Sequence, residues 1–133
     1  MSPDAMAHAC DKARNAEAAA VWAIERGSTW GYGDLVVDMR SIQVMKRSAD
    51  QVIFDATHSC QSPVGGGSYT TGNLQNCQPL SMAALAAGAD GIFCEVHDNP
   101  PAAISDADNQ LNPEQFKAML ADWLGLYDFM RGH

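Results

Sequence analysis

The sequence predicts an α/β fold built on a parallel sheet, and three observations support that reading. Three short apolar segments, Ala20-Val21-Trp22-Ala23-Ile24, Val52-Ile53-Phe54 and Gly91-Ile92-Phe93-Cys94, each read as a strand. Segments with helical spacing lie around and between them, giving the order α-β-α-β-α-β-α. Each strand also runs directly into charged or polar groups: Glu25 and Arg26, then Asp55, Thr57 and His58, then Glu95, His97 and Asp98. Alternating strands and helices imply right-handed crossovers between parallel strands, with ligands gathered at the strands' carboxyl ends. All three charged clusters are therefore expected at one edge of the sheet.

Ser2-Pro3-Asp4 is a helix start, because serine caps, proline fits the first turn and aspartate suits the positive end of the dipole. An alanine-rich helix is predicted over 5–15, and a chain that opens on such a cap reads as cut from something larger. After the first strand, Arg26 to Asp34 contains Gly27, Gly31 and Gly33 and reads as a loop. Leu35, Val36, Met39, Ile42 and Met45 predict a helix over 35–46, with Lys46 and Arg47 at its end. Ser48-Ala49-Asp50 turns into the second strand.

Ser59 to Asn73, which includes Gly65-Gly66-Gly67 and Gly72, is expected to be irregular. The triple glycine lacks the Lys-Ser/Thr pair of a phosphate loop and reads as a lid. A helix is predicted over 74–87, starting near Gln78 or kinking there because of Pro79, and ending at Gly88. A loop over 97–112 follows the third strand. Asn112-Pro113-Glu114 then starts a last helix with an apolar stripe of Phe116, Met119, Leu120, Trp123, Leu124, Tyr127 and Met130. A chain of 133 residues favours one domain, 1–133, with a modest core. The pattern fits a small open three-stranded unit or a piece of an eight-stranded barrel.

Composition narrows the partners. Sixteen acidic side chains against eight lysines and arginines give a net charge of −8, which argues against nucleic acid. No run approaches the roughly 18 apolar residues of a membrane span. No signal peptide precedes the first helix, so no membrane and a cytoplasmic location are expected. Cys10, Cys60, Cys77 and Cys94 have no CxxC or zinc-finger spacing. Four free thiols in a reducing compartment are expected, with a secreted disulfide framework as the alternative.

Four motifs, in order along the chain, resemble the 3-deoxy-D-manno-octulosonate 8-phosphate synthase family. They are Arg26-Gly27-x-x-Trp30-Gly31-Tyr32-x-Asp34-Leu35-Val36-Val37-Asp38-Met39, Val52-Ile53-Phe54-Asp55-Ala56-Thr57-His58-Ser59-Cys60-Gln61, Gly88-Ala89-Asp90-Gly91-Ile92-Phe93-Cys94-Glu95-Val96-His97 and Ser105-Asp106-Ala107-x-x-Gln110-Leu111. The resemblance implies a partial (β/α)8 barrel whose three parallel strands resemble strands six to eight. It also implies a transferase that condenses phosphoenolpyruvate with a sugar phosphate, arabinose 5-phosphate, for lipopolysaccharide biosynthesis.

By the same resemblance, Arg26 holds the phosphate of phosphoenolpyruvate, and His58, Glu95 and Asp106 bind a divalent metal, Zn, Fe or Mn. Asp55 acts with His58 in catalysis, and Gln61 lies beside the substrate. The part resembling the first five strands would have to come from a missing amino-terminal barrel chain. With it would come the lysines used on phosphoenolpyruvate and a cysteine metal ligand. In the sugar-phosphate loop, Gly72-Asn73-Leu74 puts leucine where the family has arginine, which removes the acceptor signature. A binding or assembly role for a truncated, non-catalytic barrel is the alternative function.

The residues support this chemistry on their own terms. One imidazole and two carboxylates from separate strand ends can hold Zn²⁺, Fe²⁺ or Mn²⁺ with open positions, although a histidine at a strand end is commonly structural. Arg26 before a glycine turn suits an anion, since guanidinium pairs bidentately with phosphate. His97 beside Asp98 reads as a loop residue at the site's mouth, and His8 and His133 as exposed. Three barrel strands would leave two unpaired edges and an open inner face, so self-association or a complementing chain is expected.

Overall fold

Local signals at the chain's start work as read. In the computed structural model, which describes residues 1–28, 34–62 and 71–132, Ser2 Oγ accepts from Ala5 N at 3.2 Å and caps α1 (Pro3–Asn15). After α1 come β1 (Trp22–Glu25), α2 (Arg40–Met45) and β2 (Gln51–Asp55). Two short strands follow, β3 (Gln61–Ser62) and β4 (Thr71–Gly72), and then α3 (Cys77–Ala86), β5 (Gly91–Phe93) and α4 (Pro113–Arg131). Asn112 and Gln115 exchange side-chain-to-backbone bonds as a capping box at the start of α4.

β1, β2 and β5 form one parallel sheet in the order β1-β2-β5, with Ala23 beside Val52 and Phe54 beside Ile92. The register is held at the strand entrances by two aspartates. Asp50 accepts Val21 N at 2.7 Å on its carboxylate and donates its own N to Val21 O. Asp90 does the same to Val52, at 2.9 Å and 2.8 Å. Successive strand residues face opposite sides. Ala23, Val52 and Phe54 are buried in a core with Ile42, Met45, Leu85 and Trp123, while α1 packs on α2 and α3 on α4. On the other side Trp22, Ile24 and Phe93 are 61%, 48% and 41% exposed. A parallel sheet covered by helices on one face and open on the other is consistent with part of a (β/α)8-barrel-like fold.

Two expectations are corrected. The helix predicted over 35–46 is only α2, because Val36 pairs its backbone with Ser28 in both directions, at 2.9 and 3.1 Å. A long-range bridge thus overrides the helical spacing of Leu35 and Val36. The stretch read as irregular begins with a 3₁₀ turn over His58–Cys60 and holds the antiparallel pair β3–β4, whose two-residue strands are too short to show a period. Gly65-Gly66-Gly67, Trp30-Gly31-Tyr32 and His133 lie outside the described residues. Pro79 sits in the first turn of α3, where its missing N–H has no helical acceptor. The four cysteines are free, and among the described residues no helix is long and apolar enough to cross a membrane.

Candidate functional site

β2 ends on Asp55, which is buried at 5% exposure. The chain then turns sharply, so that His58 falls back over the strand end. Asp55 Oδ1 accepts from His58 N at 3.0 Å, and Oδ2 lies 2.7 Å from the ring Nδ1. A carboxylate only accepts, so Nδ1 carries a hydrogen and Nε2 is the ring nitrogen left to ligate. Nε2 faces Glu95, 3.5 Å from its Oε1. The ring also stacks on Phe93, with centroids 6.1 Å apart.

Glu95 follows β5, and its backbone N donates to Thr57 Oγ1 at 3.2 Å, which ties the ends of β5 and β2 together. Its Oε2 accepts from Gln110 Nε2 at 3.2 Å. Asp106 comes from the loop before α4, where its backbone is left-handed, with φ 52°. It precedes a 3₁₀ turn over Ala107–Asn109, and its Oδ1 accepts from Gln61 Nε2 at 2.8 Å. One ligand atom each from His58, Glu95 and Asp106 can be chosen so that all lie within 4.8 Å of one another.

This donor set fits a divalent transition metal. It offers one imidazole nitrogen and two carboxylates on half-buried side chains. Each member is also oriented by a further residue: His58 by Asp55, Glu95 by Gln110 and Asp106 by Gln61. Such outer contacts fix ligand orientation and tautomer. Cys94 does not add a thiolate to the set. It faces the groove between β5 and α4, beside Leu85 and Trp123, and burial, with the Asp55 charge second, raises its pKa.

Arg26 follows β1 and is exposed, with no hydrogen-bond or ion-pair partner among the described residues. Glu25, at the same strand end, is committed to the fold: Ser41 Oγ donates to its Oε2 at 2.6 Å and Gly27 N to its Oε1. His97 Nδ1 accepts from Asn99 N at 2.9 Å and stands apart from the cluster. His8 is exposed. Leu74 heads a 3₁₀ turn and packs against the core.

The pairings of Gln110 with Glu95 and Thr57 with Glu95 were not readable from the sequence, since they span 15 and 38 residues through loops. The one local signal was the three-residue step from Asp55 to His58, which suits a side chain folding back onto its own turn.

The sequence model of the DAHP synthetase I family matches residues 1–127. The 2-dehydro-3-deoxyphosphooctonate aldolase of Helicobacter acinonychis is 47% identical over 110 residues, which covers 83% of this chain and 40% of that one. The enzyme of the same name from Desulfotalea psychrophila is 44% identical over 120 residues, covering 90% and 43%. That of Syntrophotalea carbinolica is 39% identical over 133 residues, covering 100% and 48%. The chain therefore spans less than half the length of these three curated relatives.

Proposed function

The chain belongs to the DAHP synthetase I family, and on that footing we propose that it forms the carboxyl-terminal part of a phosphoenolpyruvate-dependent synthase of the 2-dehydro-3-deoxyphosphooctonate aldolase kind. In this reading β1, β2 and β5 take the places of strands six, seven and eight of a (β/α)8 barrel. The observation that supports it most is the convergence of His58, Glu95 and Asp106 within 4.8 Å at the carboxyl edge of a parallel sheet.

His58, through Nε2, would hold a divalent Zn, Fe or Mn ion together with Glu95 and Asp106. Such an ion, when bound, polarises the carbonyl of an aldehyde acceptor or positions a water. Asp55 keeps the hydrogen on Nδ1, and Gln61 and Gln110 hold the two carboxylates in place. Arg26, free of partners among the described residues, binds the phosphate of phosphoenolpyruvate through its paired N–H groups. The lysines and the rest of the wall would lie in the part of the relatives that this chain does not span, and that part would cover Trp22, Ile24 and Phe93. Arabinose 5-phosphate is the acceptor that the resemblance to the octulosonate 8-phosphate synthases implies; Leu74, partly buried against the core, offers this chain's acceptor no cation.

Two measurements test the reading. Metal content of the purified chain is expected near one ion per chain and absent in His58→Ala. Phosphate release from phosphoenolpyruvate is expected when the chain is mixed with the amino-terminal half of a relative and a sugar phosphate. Metal binding without turnover in any mixture would favour a second reading, a binding or assembly protein, to which the uncharged Leu74 also points. No metal in either sample would remove the site altogether.

A further inference from the structure

We propose that Gly72 is a positioning residue for the candidate metal cluster: lacking a side chain, it seats the turn from Asp106 to Asn109 and so places Asp106 for a divalent cation. The consequence for metal rests on the proposed function, but the seat does not. Gly72 ends β4 and stands opposite Gln61 of β3. Gln61 Nε2 donates to Asp106 Oδ1 at 2.8 Å. Asp106 then leads into the 3₁₀ turn, which Asn109 N closes on Asp106 O at 2.8 Å. The β3–β4 pair therefore meets this turn twice, through Gln61 at its start and through Gly72 at its end.

The second meeting leaves no room for a side chain. A Cβ on Gly72 would overlap Asn109 Oδ1, and would lie 2.6 Å from Asn109 Cγ and 2.6 Å from the backbone oxygen of Asp108. Ordinary contact needs roughly 3.5–4.0 Å between carbon atoms. Rotating Asn109 could relieve the first two overlaps but not the third, which involves backbone. Gly72 has no positive φ, so space rather than conformation calls for glycine here.

Asn109 is 1% exposed, and neither its Oδ1 nor its Nδ2 has a hydrogen-bond partner among the described residues. A buried unpaired amide is costly, so packing on Gly72 and the bonds at its ends hold the turn. Past the turn, Leu111 N donates to Glu95 O at 3.0 Å, and His97 N to Leu111 O at 2.9 Å. With that end pinned beside Glu95, any displacement of the turn falls on Asp106.

The test compares Gly72→Ala with Gly125→Ala, where a new Cβ meets nothing within 4 Å. In the metal-free chain, the Asn109 amide is expected to exchange its hydrogen about 10- to 100-fold faster in Gly72→Ala, as local overpacking would produce. The Ala56 and Asp90 amides, which bond across the sheet, should keep their parent rates, and Gly125→Ala should accelerate none of the three. Unchanged exchange at Asn109 would overturn the seat. Zinc affinity, read by chelator competition, should fall about 10- to 100-fold in Gly72→Ala. Once Asp106→Asn is present, Gly72→Ala should cost little more, because it acts through Asp106. Additive losses would reveal a general structural effect and overturn the positioning role. A parent that binds no zinc would sink the metal reading, while exchange still decides the seat. If Gly72→Ala does not fold, the unsubstituted chain decides: a nuclear Overhauser contact between the Gly72 α-hydrogens and the Asn109 side-chain amide is expected, and its absence would overturn the proposal.

Discussion

The Asp55 carboxylate grips His58 at two points, ring Nδ1 at 2.7 Å and backbone N at 3.0 Å. One buried side chain therefore sets both where the imidazole sits and which nitrogen is free. Asp55→Asn keeps the shape but can present an N–H to the ring, which removes the reason for Nδ1 to carry hydrogen. The variant is expected to fold and to bind Zn²⁺ about 10- to 100-fold more weakly, the usual effect of losing such a partner. Titration against a chromophoric chelator measures this. Unchanged affinity would mean that Asp55 does not orient a ligand.

Asp106 reaches the cluster through a left-handed backbone, which aspartate and asparagine tolerate better than most side chains. Asp106→Asn therefore keeps the loop and removes only the charge. It is expected to unfold at the same urea concentration as the parent while binding metal less tightly. Asp106→Val is expected to lose stability as well, because a β-branched side chain resists φ 52°. Equal metal affinity in Asp106→Asn and the parent would take Asp106 out of the donor set.

Much of this was legible in the sequence because its signals are local. Ser2, Asn112-Pro113 and Gly88 mark helix ends by capping chemistry within a few residues, and three apolar runs mark the strands. The start of α2 was misread although a signal was present: Asp38 Oδ1 accepts from Arg40 N at 3.0 Å, as an aspartate placed ahead of a helix does. The bridge between Ser28 and Val36 could not be seen in spacing, since it depends on how the intervening chain folds. The same limit applies to the site. Asp55 and His58 are three apart and could be read together, whereas Gln61 meets Asp106 across 45 residues. The donors were named through the resemblance; the residues that aim them came from the fold.

Both α1 and α3 end with paired backbone bonds that reach back into the last turn. In α3 these are Ala89 N to Ala84 O and Gly88 N to Leu85 O, and glycine supplies the φ of +99°. In α1 they are Ala18 N to Ala13 O and Glu17 N to Arg14 O, and a glutamate holds φ 64°. Glu17→Gly should relieve that strain and stabilise the chain by about 1 kcal/mol. Gly88→Ala should destabilise it by about 1–2 kcal/mol, since the new Cβ adds contact with Gln43 to the same strain. Urea midpoints read both, and shifts of the same sign would contradict the shared cap geometry.

Asp90 makes the fold sensitive to acid. Burial raises its pKa, but the Val52 N–H, Lys46 and Arg131 outweigh that and leave it below the ordinary carboxylate value. A group with a lowered folded pKa contributes stability above its unfolded value, and that stability is lost as pH falls through the folded one. At pH 7 Asp90→Asn is therefore expected to be less stable than the parent. The difference should shrink as pH drops below about 4, where the unfolded carboxylate begins to protonate. A gap of constant size from pH 7 to pH 3 would show that the ionised form is not favoured by folding.

Trp22 is 61% exposed on the open face of the sheet, where Ile24 and Phe93 are also uncovered. Its chain neighbours Val21 and Ala23 are buried in the helix-covered core, so the exposure follows from strand alternation. β1 and β5 also end the sheet, with no further strand paired to either among the described residues. Apolar side chains and free strand edges on one surface favour association. Sedimentation velocity is expected to show a species larger than the 14.2 kDa chain at micromolar concentration. Trp22→Glu should shift it toward the monomer without loss of helical circular dichroism, because the substitution touches neither core nor caps. A stable parent monomer would mean that the open face is tolerated in water. The case for a complementing chain would then rest on the candidate site alone.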